Sequence, residues 1–493
     1  MPVSRRRQLI TAGVMLAAST ALNAAPWLEP GDARARHSLQ KLADRGHYNK
    51  GVTTWPVMWA DIDSGVSNSI AADAGAVSSQ AAYLNFEREQ LGSPGVRFEI
   101  QGSGSTQATS IRGFANHPRE KGELSVNVEW QGEYVALGVK PSVVANASDD
   151  ETLRLDGSYL AAAPGNWVVG AGAIGRWWGP GWQSAMVLST NARPMPAVWL
   201  NRKDTSAPES DWLKWLGPWN LTVFAGEMEE ERIVSDIRLV GMRLNLRPIQ
   251  GLDLGFTRAI MFGGEGYPGG FSTFWDAFIG KDNSYDGSDP GNQIGAIDIR
   301  YGFPVGEQSM SVYMEMMGED EAGYIPSRKS WLFGVDWTSQ LLGADQQWFF
   351  EFTNTLADDI VGDAIPNYAY SHFRYKTGYQ YYGRNMGSTF DGDAEALTAG
   401  LFHFLPDGSN VSLALTYADL NNDGGNRVSQ PDNDIFYFAP DGAQKVAIVK
   451  AGYGTEVLKG WLDLNLQATD KKIELLGGEQ DQWTASASWT YRF

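Results

Sequence analysis

Between Tyr368 and Tyr382 the chain carries Tyr368, Tyr370, Tyr375, Tyr379, Tyr381 and Tyr382, interleaved with Arg374 and Lys376 and followed by Arg384. Flat aromatic faces pack against the C–H side of a sugar ring, and Arg, Asn, Gln and Asp add directional hydrogen bonds to its hydroxyls. A long polymer gains avidity by repeating such weak contacts. Tyr379, Tyr381 and Arg384 are therefore candidate polysaccharide contacts. A second candidate is Trp177-Trp178-Gly179-Pro180-Gly181-Trp182, in which Trp177, Trp178 and Trp182 surround a tight turn. Loop packing or an interfacial belt would use the same tryptophans. Arg193, next to Pro194, completes the set, with a lumen carboxylate as its alternative partner.

Other chemistries lack their residues. Zero Cys excludes disulfides, thiolate metal sites and cysteine nucleophiles. The five histidines, His37, His47, His117, His372 and His403, form no His-Glu-x-x-His pair, and no Gly-x-Ser-x-Gly elbow occurs. Gly280-Lys281 is followed by Asp282, which breaks a Walker A pattern. Asp419-Leu420-Asn421-Asn422-Asp423-Gly424 opens like an EF-hand loop, but Gln430 stands at the twelfth position and no flanking helices are expected. A surface loop rich in Asn, Asp and Gly explains it more simply. With 58 acids against 39 Lys and Arg, net charge −19, there is no basic nucleic-acid footprint. The expectation is a binding protein, not an enzyme, with no metal and no cofactor.

The elements that hold these residues follow from patterning. Residues 1–24 combine Arg5-Arg6-Arg7, a short apolar stretch and small residues, as a cleaved secretory signal peptide does. No later window is long and apolar enough for a spanning helix. From Gly95 onward, ten-residue stretches alternate with period two. Trp483, Ala485, Ala487, Trp489, Tyr491 and Phe493 oppose Thr484, Ser486, Ser488, Thr490 and Arg492; Leu458, Leu462, Leu464 and Leu466 oppose Lys459, Asp463, Asn465 and Gln467; Val240, Met242, Leu244 and Leu246 oppose Arg243, Asn245 and Arg247. Glu129, Arg243, Glu315, Asp336 and Glu351 fall mid-strand on the polar face, where a wet lumen would accept them and a dry sandwich core would not. Trp130, Trp219, Trp331, Trp348, Trp483 and Tyr491 sit near strand ends, as interfacial girdles require. The fold class is all-β: a transmembrane antiparallel β-barrel.

Counting back from Phe493 at the inner rim places the long connections 470–481, 419–442, 358–392, 318–329 and 263–292 outside. The short ones, 454–457, 405–410, 341–346, 304–308 and 247–251, fall inside, as barrels demand. Upstream of Gly251 the parity is ambiguous, and the total is 18 to 20 strands. The outer loops are acidic, so a polyanionic polymer would meet repulsion screened within roughly 10 Å at 0.1 M salt. A neutral polymer, bridging cations or a saline habitat would each remove that conflict. Residues 25–94 read as a periplasmic helical region that plugs or supports the barrel. Asp32 caps a helix over Ala33–Arg45 that Gly46 ends, and further helices are expected over Pro56–Asp61 and Val77–Leu91. The barrel then occupies 95–493.

Several stretches together resemble the Wzi family of capsule-assembly outer-membrane proteins. They are Pro26-Trp27-Leu28-Glu29-Pro30-Gly31-Asp32, Thr53-Thr54-Trp55-Pro56, the Trp177–Trp182 motif running on to Leu188–Pro194, Gly378–Gly387 and the terminal aromatic strand. After Gly387 the resemblance departs: Ser388-Thr389 stands where a His-Ser pair is expected. The family implies an 18-stranded barrel with an N-terminal α-helical bundle, in the Gram-negative outer membrane. It also implies a surface lectin that holds capsular or exported polysaccharide. Outer-membrane lipid and that polysaccharide are the expected partners, the export machinery is a further candidate, and a monomer is expected. A porin-like solute channel is the competing function.

Overall fold

The structure is a computed structural model that describes residues 27–66, 73–279, 291–321, 326–358, 364–425, 428–431 and 433–493. The expected signal peptide lies outside them. The period-two segments pair in antiparallel order into one closed barrel of 18 strands. In chain order these are β1 Gly95–Ser105, β2 Gly122–Gln131, β3 (Val135–Val139 and Ser142–Ala145), β4 (Leu153–Arg154 and Tyr159–Ala162), β5 Trp167–Gly172 and β6 Ala197–Arg202. There follow β7 Trp219–Glu227, β8 Ile237–Ile249, β9 Leu252–Gly263, β10 Gly291–Val305, β11 Gln308–Glu321 and β12 Pro326–Leu341. The last six are β13 Ala344–Asp358, β14 Glu395–Phe404, β15 Asn410–Leu420, β16 Gln444–Val457, β17 Gly460–Thr469 and β18 Trp483–Arg492. Closure comes from β18 pairing with β1, from Ser486 opposite Ser105 to Arg492 opposite Glu99. It removes the sheet edges that lipid cannot satisfy.

Alternation sets the two faces. Leu413, Leu415 and Phe350 are among the exposed apolar side chains of the wall, while Arg243, Asp298, Glu315 and Glu351 point inward and are buried. Trp130, Trp219, Trp348 and Tyr491 lie at the end with the short turns, Trp331 and Trp483 at the other. Among the described residues no helix is long and apolar enough to cross a membrane. Short connections and long ones alternate largely as expected, with two departures. The outer connection expected over 318–329 is mostly strand, because β11 runs to Glu321 and β12 starts at Pro326. The expected inner turn at 454–457 lies at Leu458-Lys459, both at positive φ (53° and 62°). Such a two-residue turn matches strand twist, so β16 runs on to Val457. Leu458 consequently tops the turn and is exposed, outside the lipid-facing row in which it was expected.

The lumen departs from the wet interior expected of it. Helix α1 (Ala33–Asp44) starts at Asp32, whose side chain accepts the Ala35 N–H, and is buried along nearly its whole length. It sits inside the barrel, where Arg300 of β10 donates to Asp44 at 2.6 Å and Lys41 meets Asp345 of β13 at 3.5 Å. The connection 173–196 leaves the outer end of β5, descends into the lumen and returns to β6, buried for most of its course. Mid-strand charges meet protein partners there: Arg243 grips Asp298 at 2.6 and 3.0 Å. Helix α2 (Trp59–Gly65) begins later than expected, because Thr54–Trp55 pair with Trp178–Trp177 and Val57–Met58 pair with Leu28–Trp27. Helix α3 (Ala74–Leu91) packs on α1, and Gln80 and Ser79 both donate to Asp345.

Candidate functional site

The tryptophan motif lies in the middle of the lumen, not at a membrane interface. Trp177, Trp178 and Trp182 are all buried. The turn after Trp178 brings Gly179 to φ 134°, and a Cβ there would stand 2.6 Å from a carboxylate oxygen of Glu315, so only glycine fits. Beyond the turn, the backbone N–H groups of Trp182 and Ser184 donate to Glu351 of β13 at 2.7 and 2.9 Å. The Trp182 ring stacks on Phe349 at 6.0 Å, and the Arg36 guanidinium lies 4.1 Å from its centre. Arg36 also donates to the carbonyls of Gly181 and Pro180 at 2.9 and 2.5 Å. Wall, plug helix and descending loop are thus locked together at this motif.

The tyrosine stretch divides into an inner and an outer part. Tyr379 stacks on Tyr370 at 6.1 Å, and Tyr370 donates through its hydroxyl to the carbonyl of Met186 at 2.6 Å. Tyr381 is buried edge-on against Tyr382 at 4.9 Å. Arg384 is buried, donates to the carbonyls of Thr109 and Arg119 at 2.8 and 3.3 Å, and lies 3.4 Å over the Phe438 ring. Burial pushes its guanidinium down to about 9, against the opposing pull of Glu120. Arg193 takes Asp156 in a two-pronged grip (3.0 and 2.9 Å) and Asp149 at 2.6 Å, and covers the half-buried Tyr382 ring at 4.7 Å. Its partners are carboxylates, as the alternative had it, but they belong to the 146–152 connection and to the break within β4, not to the mid-strand lumen set. None of Tyr379, Tyr381, Arg384, Trp177, Trp178 and Trp182 offers a free face to the outside.

What the loop does present outward is Phe373, 69% exposed. His372 lies beside it at 4.7 Å, and the Arg374 guanidinium stands 5.2 Å from the Phe373 ring and 5.8 Å from that of Tyr267. Tyr267, on the β9–β10 connection, contacts Tyr375 at 5.9 Å, and Tyr375 donates to the carbonyl of Gly263 at 3.0 Å. Two outer loops thus build one platform of aromatic faces and a cation. Phe373 stood within the candidate stretch and was passed over for the tyrosines. Nothing in the local sequence tied Tyr267 to it.

Below the loops a cavity of about 60 Å³ is lined by Trp182, Phe402, His117, Lys450, Asn465 and Gln467, among others. It exceeds several-fold the ~10–15 Å³ that one water needs. Lys450 donates to the carbonyl of Ile111 at 2.9 Å, and the Gln467 amide meets no protein partner.

Residues 95–485 match the family model for capsule assembly protein Wzi. A Klebsiella pneumoniae protein, described as an uncharacterised 55.8 kDa protein in the cps region, is 31% identical over 314 residues; the match spans 62% of this chain and 60% of that protein's length. A solved structure of Escherichia coli Wzi, described as an outer membrane protein involved in group 1 capsule assembly and a carbohydrate-binding β-barrel, superposes with a TM-score of 0.81 at 25% identity. That superposition covers 95% of this chain and all of that one. Barrel, plug and family model agree: the chain belongs to the Wzi capsule-assembly family.

Proposed function

We propose that the protein is an outer-membrane surface lectin, binding capsular or exported polysaccharide at the long-loop end of the barrel and anchoring it there without chemical change to the sugar. The observation that carries this reading is the exposed Phe373 face set between His372, Arg374 and Tyr267. A sugar ring stacks on the aromatic face while the guanidinium takes hydroxyl or carboxylate oxygens. The binding attributed to the E. coli relative supports it. In this reading Tyr379, Tyr381, Arg384 and Arg193 brace the outer loops from within, and the three tryptophans fasten the 173–196 connection inside the lumen. Retention of polymer on the purified protein, with Phe373→Ala and Arg374→Ala as variants, tests the assignment. Unchanged retention in both would refute it. The channel alternative is disfavoured by the packing of α1 and 173–196 within the lumen.

A further inference from the structure

On β9 the outward row runs Leu252, Leu254, Phe256, Arg258, Ile260, Phe262. Phe256 is 41% exposed, as a lipid-facing residue should be, yet Ile260, four residues on, is fully buried. What covers it is helix α4 (Phe271–Phe278), part of the β9–β10 connection. Gly263, Gly264 and Gly266, all at positive φ (74°, 96° and 83°), turn the chain back at the rim. The helix then lies on the outside of the wall, its Phe274, Ala277 and Phe278 packing over Ile260, Phe262, Val240 and Met242. Its C-terminal end reaches the level of Arg258, whose guanidinium stands 5.6 Å from the Phe278 ring. The opposite face is also apolar: Phe271 is 77% and Trp275 48% exposed, one turn apart with ring centres at 6.4 Å.

We infer that α4 is an interfacial lipid-binding helix, seated in the outer leaflet with Phe271 and Trp275 against lipid acyl chains. Three observations lead there. The surface beneath the helix is continuous with the lipid-facing belt of β8 and β9. A tilted strand crosses hydrocarbon in ~9–11 residues; counted from Leu252 at the inner rim, that distance ends at Ile260–Phe262, the patch α4 covers. Exposed Arg238, two residues beyond Val240 on the same outward row, sets a cation where lipid phosphates lie. A tryptophan and a phenylalanine on a short amphipathic helix suit that boundary.

The natural absence of cysteine makes the test direct. Phe271→Cys and Trp275→Cys, each carrying a nitroxide, are compared in single-barrel nanodiscs of phosphatidylethanolamine and phosphatidylglycerol with Leu413→Cys on the bare wall and Glu479→Cys on an outer hairpin. Both helix labels are expected to collide with dissolved oxygen several-fold more, relative to a water-soluble nickel chelate, than the Glu479→Cys label does. Labels at 271 and 275 as open to the chelate as Glu479→Cys would overturn the inference. So would labels open in single-barrel discs that become shielded only when barrels share a bilayer, which would assign the face to a second copy. Phe271 and Trp275 also touch Phe274 and Phe278, at 6.1 and 5.5 Å, so circular dichroism of each labelled protein verifies that the fold is kept.

Discussion

Glu351 on the barrel wall accepts the backbone N–H of Trp182, 2.7 Å away, from the loop that fills the lumen. The same carboxylate also takes the N–H of Ser184 and the hydroxyl of Tyr313, at 2.9 and 3.2 Å. One wall residue therefore satisfies the turn after the tryptophan motif. Glu351→Ala leaves several buried donors without an acceptor, each at about 1–3 kcal/mol. The expected result is a lower melting temperature in detergent and, because the loop loses its tether, current steps across planar bilayers. The parent protein should give no steady conductance. Open-channel currents from the parent would contradict the filled lumen.

The plug helix has its own lock. Arg300 meets Asp44 through two bonds at 2.6 and 2.9 Å, both side chains buried. Asp44→Ala leaves the buried guanidinium with only the longer contact to Asp336, at 3.5 Å, and should cost up to about 3–5 kcal/mol, read as a loss of stability in chemical denaturation. Limited proteolysis should cut within residues 27–66 sooner than in the parent. Unchanged cleavage there would mean that α1 is held mainly by its other contacts.

Two buried groups outside the strands predict opposite responses to pH. His37 on α1 is pushed down to about 4 by burial first and by Lys41 second, with Asp345 and the hydrogen bond to Gln347 opposing. A depressed histidine is neutral in the fold, so its contribution, on the order of 3 kcal/mol, is complete above about 6.5 and lost as pH falls through about 4. His37→Gln should flatten the acid limb of the stability curve. Asp61 on α2 is pushed up to about 7 by burial, against the hydrogen bonds from Thr205. A raised carboxyl contributes most below about 3.8 and loses that contribution as pH rises through about 7. Asp61→Asn should therefore become relatively more stable than the parent between pH 4 and 7.

The barrel was legible because its chemistry repeats. Every strand must show an apolar face to lipid, so Val240, Met242 and Leu244 announce β8 without knowledge of any partner. The filling of the lumen does not repeat. Arg243 mid-strand is compatible with water or with a buried Asp298, and only the fold places those residues side by side. Likewise the tryptophans at 177, 178 and 182 have the composition of an interfacial belt. Their true setting depends on Trp55, Phe114 and Phe349, brought from three distant segments. Tyr381 and Arg384 were drawn into the candidate site by residue type, and type does not report which way a returning loop turns its faces.

That division yields the last prediction. Phe373→Ala and Arg374→Ala remove surface groups, so the melting temperature should stay close to the parent's while polymer retention falls several-fold. Arg384→Ala opens a gap against Phe438 and leaves the carbonyls of Thr109 and Arg119 without their donor, so it should lower stability by about 1–3 kcal/mol. Any loss of polymer retention should then follow the loss of fold. Tyr381→Phe separates the two cases further: it keeps the buried ring and removes only the hydroxyl, so retention should be unchanged if the ring acts by packing. A marked loss of retention in Tyr381→Phe at unchanged melting temperature would move the sugar contact back to the tyrosine pair and away from Phe373.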